Sequence, residues 1–167
     1  MELFPEIFEA IHGPQPEIRS FNDYEAIAAW VADRIRALNE EEGYPLAEIA
    51  VIYTMRSPED DTAIHLPRLL EAAMEKKGIL HNWISEDYQA KRSYDVTTDS
   101  VTISTIHSLK GFDYACVFLL GMDWLAPSNR WTEEQIRKLA YVAVTRAREQ
   151  LFIPYSYDNE IVKMLLR

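Results

Sequence analysis

The chain has few of the features that would cross-link it or place it in a membrane. Its 167 residues include one cysteine, Cys116, so an internal disulfide is excluded, and its place in an apolar run predicts a buried, unreactive thiol. No apolar run approaches the ~20 residues that a membrane helix needs, and residues 1–6 lack the basic stretch of a signal peptide. We therefore expect a soluble, cytoplasmic protein with no membrane partner.

Positive charge is also scarce, with a formal net charge of −10. Because nucleic acids are polyanions, this balance argues against strong independent binding to DNA. The deficit is uneven: residues 1–90 hold 7 Lys and Arg against 18 Asp and Glu, whereas residues 91–167 hold 10 against 9. Any contact with a polyanion is therefore expected to be local, and a basic partner domain could supply the missing field.

The motifs of a complete ATP site are missing too. No Gly-x-x-x-x-Gly-Lys-Ser/Thr loop occurs, and no predicted strand ends in Asp-Glu, so the sequence offers neither a phosphate-binding loop nor the usual Mg²⁺ carboxylate. His, Cys, Asp and Glu also lack metal-ligand spacing, so we expect no metal site. A self-sufficient nucleotide-binding enzyme is therefore disfavoured.

Chemically versatile residues are concentrated in the stretch from Ser104 to Tyr114, between two apolar runs that are typical of buried strands. Lys110 supplies a point charge, Gly111 permits close approach, and Asp113 can accept from sugar hydroxyls. This inventory suits phosphate and ribose, although a polar surface loop remains an alternative. Because ligands collect beyond the carboxyl ends of strands, the polar residues after the strand at 48–54 are expected to share one rim with this stretch.

The remaining chain alternates short strands with helices and gives no hairpin signal. This pattern predicts an α/β domain of three layers with a mostly parallel sheet. Helices are predicted from Tyr24 to near Gly43, with a capping box from Asn22 to Glu25, and over residues 62–77. Further strands are expected over residues 18–21, 79–84, 101–103, 115–120 and 151–155, a loop over residues 122–131, and a final helix from residue 158.

A second capping box, Thr132 to Gln135, begins a helix whose apolar stripe extends to Ala147. At about 100° per residue, Arg146 lies on the flank of that stripe. We expect its guanidinium to reach around the domain edge into a neighbouring cleft.

Two stretches resemble motifs of the UvrD/Rep-type superfamily 1 DNA helicases. The segment Thr-Ile-His-Ser-Leu-Lys-Gly-Phe-Asp-Tyr, residues 105–114, resembles motif V, and Arg-Lys-Leu-Ala-Tyr-Val-Ala-Val-Thr-Arg-Ala, residues 137–147, resembles motif VI. Residues 49–54, Ile-Ala-Val-Ile-Tyr-Thr, are a weaker match to motif IV. The resemblance covers about residues 17–156 and implies the second, C-terminal RecA-like lobe of such a motor, without its own P-loop.

The resemblance assigns a role to several side chains. Arg146 is implied as an arginine finger, a cation placed where negative charge develops on the γ-phosphate. Lys110 and Gly111 would lie near the phosphates and Asp113 on the ribose. Tyr53 would contact the adenine face, with simple strand packing as its alternative, whereas Thr105 and His107 would face single-stranded DNA.

Three departures from the family pattern qualify these roles. Thr54 stands where motif IV usually has an arginine, and Arg56, which points the same way in an extended strand, is a candidate replacement. Asp113 replaces the usual glutamate and is one methylene shorter. Only about fifty residues separate motifs IV and V, so the family's large accessory domain is expected to be missing.

The resulting prediction is a N-terminal helix and linker at residues 1–16, followed by a C-terminal helicase domain at 17–167. As part of a longer protein, this lobe would complete an ATP site whose Mg²⁺ is held by an N-terminal lobe, and would drive movement along single-stranded DNA in the 3′ to 5′ direction. Residues 1–167 alone are expected to be inactive. The alternative is a non-catalytic RecA-like module that binds a protein or nucleic acid.

Overall fold

Six parallel strands form the centre of the molecule. The computed structural model describes residues 15–54, 65–84, 99–106, 112–124 and 132–156. Their order across the sheet is β1-β6-β5-β2-β4-β3, and every pairing is parallel. The predicted α/β fold with a mostly parallel sheet is therefore confirmed. The strands are β1 (Glu17–Ser20), β2 (Ile49–Tyr53), β3 (His81–Ile84), β4 (Val101–Thr105), β5 (Tyr114–Leu120) and β6 (Ala147–Tyr155).

Helices cover both faces of this sheet. The described residues form α1 (Tyr24–Glu40), α2 (Leu66–Lys76) and α3 (Glu133–Val144), with 3₁₀ turns at Leu46–Glu48 and Met122–Trp124. The apolar stripes of α1 and α2 pack in one core cluster, whereas that of α3 packs in another. These helices and the sheet make the three predicted layers. No helix in this part of the chain is both long and apolar enough to cross a membrane.

The central strand β5 shows why its sequence is continuously apolar. Val117 and Leu119 belong to the cluster under α3, whereas Phe118 and Leu120 belong to the cluster under α1 and α2. Successive side chains therefore point to opposite covered faces, as expected for a parallel strand. Cys116 lies in the same strand, and burial raises the pKa of its thiol to about 12. The predicted burial of this thiol is confirmed.

Two helix starts were predicted from capping residues, and one prediction needs correction. At α3 the Thr132 side chain accepts from the Gln135 N–H at 3.1 Å, and the Gln135 side chain accepts from the Thr132 N–H at 2.8 Å, so this capping box is confirmed. At α1 the capping residue is Asp23 rather than Asn22. Asp23 has extended backbone, and its carboxylate accepts from the Ala26 N–H at 2.8 Å.

The end of α3 also differs from the prediction. The helix ends at Val144, and β6 begins at Ala147 instead of residue 151. Ala147 pairs with Tyr114 of β5, so strand pairing overrides the helical periodicity at this point. Arg146 consequently lies in the turn between α3 and β6, not on the flank of a helical stripe.

Gly121 makes a close contact that an added side chain would disrupt. Its φ is +89°, and a Cβ at this position would lie 2.4 Å from Thr54 Oγ1, which donates to the Gly121 carbonyl at 2.8 Å. We expect Gly121→Ala to lower the free energy of unfolding by about 1–3 kcal/mol, measured by urea denaturation. Gly43→Ala is the control, because Gly43 also has a positive φ, +80°, but nothing within 4 Å of the added Cβ. Equal losses in the two variants would show that the Thr54 contact has no energetic effect.

Candidate functional site

The parallel sheet separates the predicted site residues between its two edges. Tyr53 and Thr105 end β2 and β4, which pair side by side, so both lie at the carboxyl edge. Asp113 and Arg146 directly precede β5 and β6 and lie at the amino edge. A strand of five residues, such as β4, spans roughly 16 Å. The start of the stretch from Ser104 to Tyr114 therefore shares the rim at the end of β2, as expected, whereas Asp113, near its end, lies at the opposite edge because β5 runs parallel to β4.

Arg146 is held at the amino edge by three neutral oxygen atoms. Its Nε donates to the Val142 carbonyl at 3.2 Å, one terminal nitrogen donates to the Phe112 carbonyl at 3.0 Å, and the other to Thr145 Oγ1 at 3.4 Å. The backbone adds a contact, because the Tyr114 N–H donates to the Arg146 carbonyl at 2.8 Å. The end of the motif V segment and the motif VI arginine are thus in direct contact.

Among the neighbours that the structure describes, none neutralises the charge on this guanidinium. Within the described residues no carboxylate forms an ion pair with Arg146, and its three acceptors account for only part of its five N–H groups. The side chain is half-buried. Val142 belongs to the last turn of α3, where free carbonyls favour a nearby cation. Arg146 is therefore oriented while keeping its positive charge available.

Asp113 lies at the same edge but is bound to a residue that the sequence did not reveal. Arg148 donates to Asp113 Oδ1 at 2.7 Å through one terminal nitrogen and to Glu48 Oε2 through the other. The hydrogen bonds that Arg148 donates to Glu48 and, with a smaller effect, to Asp113 raise the pKa of Arg148 above its ordinary value. These partners are 35 and 100 residues apart in sequence from Arg148, so no local pattern could have identified them.

At the carboxyl edge, Tyr53 has no surface exposed to a nucleotide. Its relative exposure is 0%, it packs in the core cluster under α1 and α2, and its hydroxyl accepts from the Trp83 indole N–H at 2.8 Å. The structure therefore favours strand packing over the predicted adenine contact. Thr105 is also nearly buried, at 6% exposure, and its predicted contact with DNA remains a prediction.

Several predicted site residues lie outside the described part of the chain. They include Arg56 and three residues of the motif V segment, His107, Lys110 and Gly111. Among the residues that the structure does describe, no three His, Cys, Asp or Glu side chains are grouped so that they could hold a metal ion. In the described part of the chain, the amino edge thus presents the Arg146 guanidinium together with the Asp113 carboxylate.

Comparison with known families identifies the type of domain to which these residues belong. The model of the UvrD-like helicase C-terminal domain matches residues 71–158, which is more than half of the chain and includes Asp113 and Arg146. The chain belongs to this family. The resemblance seen in motifs V and VI is thereby confirmed at the level of the family.

Relatives of this UvrD-like domain are longer proteins. The ATP-dependent DNA helicase Rep of Buchnera aphidicola (Acyrthosiphon pisum) is 36% identical over 66 residues, covering 36% of this chain and 10% of Rep. The RecB subunit of the RecBCD enzyme from Chlamydia pneumoniae is 39% identical over 71 residues, covering 42% of this chain and 7% of RecB. DNA helicase II of Escherichia coli K12 is 38% identical over 73 residues, covering 40% of this chain and 10% of DNA helicase II. The matched region spans about a tenth or less of each of these relatives.

A solved structure shares the fold of this UvrD-like domain. The crystal structure of the C-terminal domain of a possible DNA helicase from Lactobacillus plantarum WCFS1 superposes with a TM-score of 0.64. The superposition covers 98% of this chain and 88% of the other, at 16% sequence identity. Identity this low supports the shared fold alone.

Proposed function

We propose that this chain is the C-terminal motor lobe of an ATP-dependent DNA helicase or translocase. It contributes one side of an ATP site whose other side, with the phosphate-binding loop and the Mg²⁺ ligands, belongs to an N-terminal lobe of the same parent protein. Family membership supports the type of protein. The orientation of Arg146 supports the division of labour between the lobes.

The observation that carries the proposal is that the Arg146 guanidinium is oriented by three neutral oxygen atoms. Within the described residues, Arg146 forms no ion pair with a carboxylate. Arg146 is instead oriented by neutral oxygens, on a side chain that is half-buried. A fixed cation at a domain edge, with no carboxylate partner among the described residues, is suited to a phosphate that is bound by another lobe.

In this proposal, Arg146 stabilises the negative charge that develops on the γ-phosphate during hydrolysis. Asp113, at the same edge, accepts from a ribose hydroxyl. Lys110 and Gly111 contribute to the phosphate environment, and Arg56 substitutes for the motif IV arginine. Adenine recognition is not assigned to Tyr53, because its side chain is buried in the core.

The two edges of the sheet suggest how nucleotide state and DNA grip are linked. The proposed contacts to single-stranded DNA are Thr105, the last residue of β4, and His107, two residues later in the sequence. Phe112, in contrast, accepts from Arg146 at the amino edge. Only residues 106–111 separate Thr105 from Phe112 in the sequence. A shift of Arg146 on ATP binding would therefore act on the same short segment that carries the DNA contacts.

ATP turnover of the isolated chain and of the complete parent protein tests the proposal. Residues 1–167, shown to be folded by a cooperative thermal transition, are expected to give no turnover above buffer, with or without single-stranded DNA. The parent protein is expected to hydrolyse ATP, and faster with single-stranded DNA. Turnover by the isolated chain would contradict a shared site, and a parent protein without ATPase activity would favour a non-catalytic binding module.

A further inference from the structure

Arg148 connects three segments around the amino edge of the sheet. It lies at the start of β6, two residues after Arg146, and its guanidinium bridges Asp113, before β5, to Glu48, before β2. Each carboxylate receives one prong of the guanidinium fork. Because a planar guanidinium held at both ends has little freedom to rotate, Glu48 fixes the orientation of the prong that reaches Asp113.

The pairing leaves half of the Asp113 carboxylate available. Arg148 donates to Oδ1 at 2.7 Å, and among the described residues Oδ2 accepts no hydrogen bond. The three side chains remain accessible, with relative exposures of 44% for Arg148, 57% for Asp113 and 42% for Glu48. Ion pairs this exposed contribute little to the free energy of unfolding. Orientation of the carboxylate is therefore a better account of the bridge than stability.

We propose that Arg148 is a positioning residue of the nucleotide site, holding Asp113 by one oxygen so that the other accepts a ribose hydroxyl. This inference rests on the proposed function, in which Asp113 contacts the ribose. It also addresses the shorter side chain of Asp113 compared with glutamate. Because the shorter side chain reaches less far, the direction in which its second oxygen points has a larger effect on whether that oxygen meets the ribose hydroxyl.

Steady-state ATPase measurements on the complete parent protein test this role. Arg148→Ala is expected to raise KM for ATP roughly two- to tenfold, because Asp113 must then be ordered by the ligand itself, and to change kcat less than about twofold. The probes are ATP, 2′-deoxy-ATP and 3′-deoxy-ATP. The wild type is expected to have a higher KM for the analogue that lacks the contacted hydroxyl, and Arg148→Ala is expected to reduce that difference.

Two further variants separate geometry from charge. Arg148→Lys keeps the charge but loses the fork, so it is expected to discriminate between the nucleotides as poorly as Arg148→Ala. Arg36→Ala removes an exposed arginine from a comparable pair with Glu40, at 3.3 Å on α1, and is expected to match the wild type. Equal increases in KM for all three nucleotides in Arg148→Ala would show that only the charge matters and would overturn the inference. A decrease in KM for ATP would overturn it as well, because Arg148 would then be competing with the ribose.

Failure of this inference is distinguishable from failure of the proposed function. If Asp113→Ala abolishes discrimination between ATP and its deoxy analogues while Arg148→Ala does not, the ribose contact stands and the positioning role is wrong. If the wild type does not discriminate, the ribose contact itself is wrong and the positioning role falls with it. A parent protein with no ATPase activity would overturn both.

Discussion

Replacement of Arg146 by alanine in the complete parent protein is expected to lower kcat for ATP hydrolysis by roughly 10³- to 10⁵-fold, the range associated with arginine fingers. The change in KM is expected to be much smaller, because the guanidinium acts on charge that develops in the transition state rather than on the bound substrate. Single-turnover hydrolysis with saturating single-stranded DNA measures the chemical step directly. We expect the loss of the Val142 and Phe112 contacts to have only a local effect on the fold, because both are hydrogen bonds to backbone carbonyls of the adjacent turn and strand start.

Arg146→Lys sharpens this experiment. An ammonium keeps the charge, but it cannot donate to the Val142 and Phe112 carbonyls and at the same time offer a planar pair of N–H donors to a phosphate. We expect it to lose nearly as much activity as Arg146→Ala, with Arg36→Ala as the exposed control. Thermal unfolding of each variant checks that the domain is intact. Wild-type turnover in Arg146→Ala would remove the arginine finger from the mechanism and leave only family membership.

The fold was largely predictable because its signals are local. The apolar run of β5 and the stripes of the helices follow from which faces are buried, and these faces repeat at short spacing. The start of β6 was predicted wrongly because it depends on the pairing of Ala147 with Tyr114, 33 residues earlier in the sequence. The apolar helical spacing of α3 continues in the sequence to Ala147, although the helix itself ends at Val144.

The site was predictable only where motifs identify it. Motifs V and VI pointed to Asp113 and Arg146, and the structure brings these two segments into contact at one edge. The Tyr53 hydroxyl is bonded to Trp83, 30 residues away, and Asp113 is bonded to Arg148, which also binds Glu48, so these contacts are not visible in a local pattern. The separation of Thr105 from Asp113, at opposite edges, was however implicit in the predicted parallel sheet. A connection between two parallel strands must return from the carboxyl edge of the sheet to its amino edge.

The second large effect is expected at Asp123, which lies in a stretch that was predicted only as a loop. Its side chain is buried, at 5% exposure, and joins three parts of the fold beyond the carboxyl end of β5. One oxygen accepts from the Tyr24 hydroxyl of α1, and the other accepts from the Ser156 N–H after β6 at 2.7 Å. This carboxylate therefore ties the first helix and the last described strand to the centre of the sheet.

Asp123→Ala is expected to lower the free energy of unfolding by about 3 kcal/mol, since it leaves the buried Tyr24 hydroxyl and the partly buried Ser156 N–H without this acceptor. In a domain of this size, that loss corresponds to roughly 6–12 °C in Tm, measured by calorimetry.

Tyr24→Phe removes one of the two bonds and keeps the aromatic packing on Trp124, whose ring centroid lies 4.4 Å away. It is expected to cost about 1–2 kcal/mol. Asp123→Asn retains an acceptor oxygen and should fall between the wild type and Asp123→Ala. If all three variants unfolded at the wild-type temperature, the buried carboxylate would have no structural role, and the connection of α1 and β6 to the sheet would depend on apolar packing alone.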